Sequence, residues 1–179
     1  MTEQLPFVVF KKPQVLYHAS PNQDIEVFEP RRERFRDANE GPVVFATPDK
    51  AYATMFLVKS NGSWVVKGRF SEAGINGPWH IIISDRERFE QADIGGSIYE
   101  FDPGGFEYEP DKNMGSTEWT SKESVTPYRK VDYPSVLQAM IKAGVQVYLV
   151  DQHILDQIKS SSDDGYEIIQ SLQQHLIEE

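Results

Sequence analysis

Apolar residues fall in short runs through the first three quarters of the chain and at helical spacing near its end. "QVLYHAS" predicts a strand, broken by the turn residues of "SPNQ". "VVFAT" predicts a second, buried strand, and "WVVKGRF", "WHIIISD" and "GSIYEFDP" predict three more. These last are separated by "SEAGINGP" and by a short charged segment at residues 86–90. "EWTSKESVTPYRKV" has no helical repeat and predicts two short strands or a hairpin. Thr47 offers an N-cap hydroxyl and Pro48 a fixed first-turn φ, so a helix is expected to start there in "TPDKAYATMFLV".

The end of the chain changes character. "YPSVLQAMIKAG" puts Val136, Leu137, Met140 and Ile141 on one helical face and stops at Gly144. A strand, "VQVYLVD", follows, then two helices, "DQHILDQIKS" and "GYEIIQSLQQHLIEE", hinged at the polar "SSSDDG". The second helix carries Tyr166, Ile169, Leu172 and Leu176 along one stripe. "IEVFEPRRERFRDANEGP" has little periodicity and predicts a long loop. Strands in the middle with helices early and late, without strict alternation, predict an α+β fold and not a doubly wound parallel sheet. At 179 residues one domain is expected, with its core in residues 15–131 and a helical appendage in residues 134–179.

Composition narrows the chemistry. The absence of cysteine excludes disulfides, thiolate metal sites and a cysteine nucleophile. The four histidines, His18, His80, His153 and His175, lie far apart, so no metal site is expected. His80 lies inside "WHIIIS" and is expected to be packed and hydrogen-bonded, while His153 and His175 are expected at or near the surface of the C-terminal helices. A formal charge of −10 argues against an extensive nucleic-acid surface. "RRERFR" at residues 31–36 is the one dense basic cluster, readable as a solvated loop face or a local phosphate site. No run approaches the roughly 18 apolar residues of a membrane span. The N-terminal "MTEQLPFVVFKKPQ" lacks the charge order and length of a signal peptide, so a cytoplasmic protein is expected. Neither GxGxxG nor a P-loop motif occurs, and the glycine pair of "IGGSIY" precedes a strand, as a turn would.

Three segments remain as candidates for chemistry: "YHAS", "VVFATPDKAYATMF", and the carboxylate- and aromatic-rich stretch from "SIYEFDP" to "TPYRKV". In this order they resemble the ADP-ribosyltransferase superfamily, closest in look to the small bacterial rifampin ADP-ribosyltransferases. Those open with Tyr-His-Gly-Thr, where this chain has Tyr17, His18, Ala19 and Ser20. They continue with a strand and an Ala-rich helix, matched here by "VVFATPDKAYA", and then an acidic stretch ending in Tyr-Arg-Ser, where this chain has Tyr128 and Arg129. The likeness covers roughly residues 15–131, and Ala19 departs from the family's glycine.

The resemblance implies a split, mixed β core and an enzyme that cleaves NAD, transferring ADP-ribose to an unknown acceptor or to water. It implies that NAD, as substrate, meets Tyr17, His18, Ser20, Thr47 and Tyr52, with Tyr52 or Tyr17 stacking on nicotinamide and His18 bonding a ribose hydroxyl or the carboxamide. It implies that a catalytic acid, Glu118 or Glu109, accepts a hydrogen bond from the ribose 2′-OH. Glu118 suits the wider superfamily and Glu109 the rifampin-modifying subgroup. Two other readings are a non-catalytic binding module of the same fold and an RNA 2′-phosphotransferase-like enzyme, although the several core-strand arginines of the latter have no match here.

Overall fold

The computed structural model describes residues 11–32, 39–112 and 118–178. The first ten residues, and Arg34 and Arg36 of the basic cluster, lie outside them. In chain order the first elements are β1 (Leu16–Ser20), β2 (Val44–Ala46), α1 (Lys50–Thr54), β3 (Val65–Gly68), β4 (Ser71–Glu72) and β5 (Ile75–Asn76). Then come β6 (His80–Ile83), α2 (Arg86–Ala92), β7 (Gly96–Phe101), β8 (Trp119–Ser121) and β9 (Arg129–Tyr133). The chain ends with α3 (Val136–Lys142), β10 (Gln146–Leu149), α4 (Gln152–Ser160) and α5 (Tyr166–Ser171). This is an α+β fold in which the described strands divide among small sheets.

Two three-stranded sheets carry the core, and each has a strand buried along its whole length at its centre. β7 lies between β1 and β9, antiparallel to both. All six of its residues are buried because its two faces meet different clusters. Ile98 packs with Met55, Leu57 and Ile83, whereas Tyr99 and Phe101 pack with Leu16, Phe28 and Phe106. β6 lies between β3, antiparallel, and β10, parallel. Its Ile81 and Ile83 face the first of these clusters, and Ile82 faces a third with Tyr148, Leu155 and Ile169. Fully covered central strands lose the period-2 alternation, which is why "HIII" and "SIYEF" read as unbroken apolar runs. β2 and β8 form a short antiparallel pair, fastened to β1 through Tyr17 and Thr47.

The described residues 134–178 are not an appendage. β10 completes the β6 sheet, Val136, Ala139 and Met140 of α3 fill one face, and Leu155, Ile158 and Ile169 of α4 and α5 cover the other. Without α4 and α5, Ile82 and Tyr148 would face water, at a cost of about 1.5–3 kcal/mol for each large side chain exposed.

Several local expectations shift. Helix α1 starts after Asp49, not Thr47: the Asp49 carboxylate accepts from the Tyr52 N–H at 3.1 Å, while Thr47 is held by paired backbone bonds to Tyr17 at 2.7 and 2.9 Å. The charged segment at residues 86–90 is the helix α2, capped by Asp85 and anchored by buried Phe89. "SEAGINGP" contains the hairpin of β4 and β5, which turns on Ala73 and Gly74, both at positive φ. The hairpin alternative for "EWTSKESVTPYRKV" does not form, since β8 pairs with β2 and β9 with β7. The last helix ends at Ser171 and gives way to a 3-10 turn, with Tyr166 43% exposed at its start.

His80 is buried, its ring 5.0 Å from that of Phe70, and burial lowers its pKa to about 4. The unfolded chain therefore takes up this proton near pH 6.5 while the folded one resists it until about pH 4. Stability should fall as pH drops through that window, by up to about 3 kcal/mol. Denaturant titrations from pH 7 to 5 check this, and His80→Phe should flatten the slope. Gly95 tests the turn before β7: its φ is 73°, and a Cβ there would lie 2.4 Å from the Tyr133 carbonyl oxygen. Gly95→Ala should cost about 2 kcal/mol or more, against little change for Gly62→Ala, whose Cβ meets open space.

Candidate functional site

The second and third candidate segments meet at one contact. β8 runs antiparallel to β2, with Trp119 opposite Ala46, so Glu118 arrives just beyond the paired end, beside the start of α1. Its side chain is buried, and its Oε1 accepts a hydrogen bond from the Tyr52 hydroxyl at 3.3 Å. A buried carboxylate is costly to desolvate unless donors meet it, so a hydroxyl aimed at one oxygen is a specific arrangement.

Tyr52 is itself gripped. Its ring lies 4.8 Å from that of Trp79, tilted by 35°, and edge-on to Phe56 at 4.9 Å. Trp79 is oriented in turn by Asp49, whose Oδ2 accepts from the indole Nε1–H at 2.6 Å. Arg69 closes the group, donating to the same Oδ2 at 3.2 Å and lying 4.4 Å from the Trp79 ring centroid. Lys67 lies 5.1 Å from the Phe56 ring, and Lys50 lies 5.9 Å from that of Tyr17. Aromatic rings with cations over them thus wall the α1 side of the site.

Tyr17 and His18 leave β1 on opposite faces, as strand geometry requires. Tyr17 packs with Tyr52 and Trp79 against the first core cluster, and lies opposite Glu100 on β7. Glu100 is also buried and is ion-paired with Arg129 at 3.7 Å. The His18 ring turns the other way, edge-on to Phe28 at 4.8 Å, and its Nδ1 bonds the Phe45 carbonyl oxygen at 2.6 Å. A carbonyl only accepts, so Nδ1 carries the proton, and Nε2 of the neutral ring is an acceptor. His18 and Ser20 line a cavity of about 120 Å³ with Phe28 and Arg31. The Thr47 hydroxyl accepts from the Asp49 N–H at 3.1 Å and so helps set the start of α1.

Glu109 is placed differently. It forms an ion pair with Lys112 at 2.7 Å, and its side chain is 27% exposed. The structure thus joins Tyr52 to Glu118, joins Tyr17 to Thr47 through the backbone, and groups His18 with Ser20 and Arg31. Asp49, Arg69, Trp79 and Glu100 are the residues that sequence reasoning missed. Only Asp49 left a usable signal, an Asx residue three before Tyr52 at a helix start. Among the described residues no group of three histidines or carboxylates is arranged to hold a metal ion, and no helix is long and apolar enough to cross a membrane. No family model, curated protein or solved structure matches the chain.

The geometry makes Asp49 the support of this wall. Asp49→Ala should cost about 1–2 kcal/mol from the lost helix cap alone. It should also shift the tryptophan emission to the red as Trp79 loses its partner. Emission spectra of Asp49→Ala in a Trp79→Phe background check the assignment, because the shift should vanish there.

Proposed function

We propose that the chain is an NAD-cleaving enzyme of the ADP-ribosyltransferase type, with Glu118 as its acid. The observation that carries the reading is the hydrogen bond from Tyr52 to Glu118, which unites two of the three segments on which the resemblance rests. Further support comes from the β strands divided among small mixed and antiparallel sheets, as a split mixed β core requires. Lys50 and Lys67 add positive charge beside the rings, suited to a pyrophosphate in a chain of net charge −10.

In this reading the bond between nicotinamide and ribose C1′ breaks, and its electron pair leaves with the nicotinamide, neutralising the pyridinium. The ribose acquires oxocarbenium character, as in glycoside hydrolysis. Glu118 accepts from the ribose 2′-OH and places its negative charge next to the cation, while Tyr52 fixes the carboxylate through the other contact and offers its ring to nicotinamide. In this reading His18, on the opposite face of β1, makes no contact with the reacting ribose. The acceptor's oxygen then bonds to C1′ and gives up its proton, and water suffices as acceptor in an assay. Glu118 is preferred to Glu109 because its charge is buried and directed by a hydroxyl, whereas Glu109 is partly exposed and ion-paired with Lys112 at 2.7 Å.

Nicotinamide release from NAD tests the assignment. Glu118→Gln should lower turnover about 10² to 10³-fold, with much less effect on NAD binding, because the ground state lacks the full cationic charge. Glu109→Gln should stay near the parent. The reverse pattern moves the acid to Glu109, and a parent that binds NAD without releasing nicotinamide is a binding module.

A further inference from the structure

A large cavity has a lining separate from this site. It holds about 920 Å³ and opens between the hairpin of β4 and β5, the His80 end of the second sheet and α5. That volume falls within the range of small-molecule sites, roughly 300–1,000 Å³. It shares no lining residue with the Tyr52–Glu118 contact.

Its lining is chemically one-sided. Phe70 and Tyr166 meet edge to face at 4.9 Å, and His80 lies tilted against Phe70 at 5.0 Å, which gives flat aromatic walls. Tyr148 is 1% exposed at its base and donates to Gln146 Oε1 at 3.2 Å, fixing an amide in the lining. Glu72 and Asp163 also line it, and among the described residues no lysine or arginine does. Hydrogen bonds from Ser161 and from backbone N–H groups hold the Asp163 carboxyl below the usual range, so it stays charged. His80, kept uncharged by burial, adds no positive charge and can offer an acceptor nitrogen. Aromatic faces and carboxylates without a balancing cation attract a flat positive group and repel an anion.

We infer that this cavity is a second ligand site, for a small planar cation of the amidinium, guanidinium or protonated heteroaromatic-amine class. The pyrophosphate of a dinucleotide is disfavoured there. Phe70 and His80 also border a smaller cavity of about 280 Å³ whose walls carry Lys67, Arg69 and Lys159, so Tyr166 and Gln170, which line only the larger one, are the diagnostic residues.

The test is a backbone amide NMR titration of the whole chain with benzamidine, benzamide and benzoate, which share a flat shape and differ in charge. Benzamidine at millimolar concentration should move the amides of Tyr166, Gln170 and Gln173, at least ten-fold more tightly than benzamide, and benzoate should leave them in place. Gln170 is exposed, so Gln170→Lys should fold normally and should weaken benzamidine at least ten-fold. No movement with benzamidine, equal binding of benzamide or benzoate, or an unaffected Gln170→Lys would each overturn the inference. Because the two sites share no residue, failure here leaves the NAD reading untouched, and failure there leaves this one.

Discussion

The Asp49 carboxylate is the constraint on which the candidate site depends. Three donors from three places in the chain converge on it: the Tyr52 N–H, the Trp79 indole and the Arg69 guanidinium. One carboxylate thereby fixes the first turn of α1, the residue before β6 and the segment after β3. Hydrogen bonds to a charged group contribute about 1.5–3 kcal/mol each where they are shielded from water. Asp49 and Arg69 are both partly shielded, with side chains 24% and 18% exposed. α1 has only five residues and could not hold a direction from its own backbone bonds. The cap and the Trp79 contact supply what length does not, and they set the place where the Tyr52 hydroxyl reaches Glu118.

A second constraint aligns the other half of the site. The paired backbone bonds between Tyr17 and Thr47 stitch the two-stranded β2–β8 sheet to the β1–β7–β9 sheet. β8 is only three residues long, and its register against β2 decides where Glu118 falls. A slip of one residue would turn the side chains of β8 to the opposite face. Glu118, Glu100 and Glu40 are all buried in a chain already rich in negative charge. Each has a named partner, in Tyr52, Arg129 and Lys112 respectively, as burial of a charge demands.

Much of the secondary structure was legible because it rests on local pattern. "LYHAS", "HIII", "SIYEF" and "QVYL" stand out as apolar runs between turn residues, and Gly144 marks the stop of α3. What was not legible depends on distant partners. α2 shows one buried residue, Phe89, in a charged heptapeptide, too little for a periodic signal. Thr47 offered as good a cap as Asp49, and the bond to Tyr17 across thirty positions decided between them. The tail appeared separable because its helices are amphipathic, but the face they cover belongs to β6, more than fifty residues upstream. Tyr52 and Glu118 were visible as candidates. The Trp79 and Arg69 that hold Tyr52 were not, since a tryptophan before an apolar strand has the pattern of any core residue.

The central proposal is that NAD binds at the Tyr52–Glu118 contact, on the ring wall to which Tyr17 belongs. Mapping the backbone amide shifts of the intact protein on titration with NAD tests it most directly. The account predicts saturable movement of Tyr17, Tyr52 and Glu118 and of the Trp79 indole N–H, with Tyr166 and Gln170 unmoved. Movement confined to Tyr166 and Gln170, or none at any NAD concentration, would contradict it.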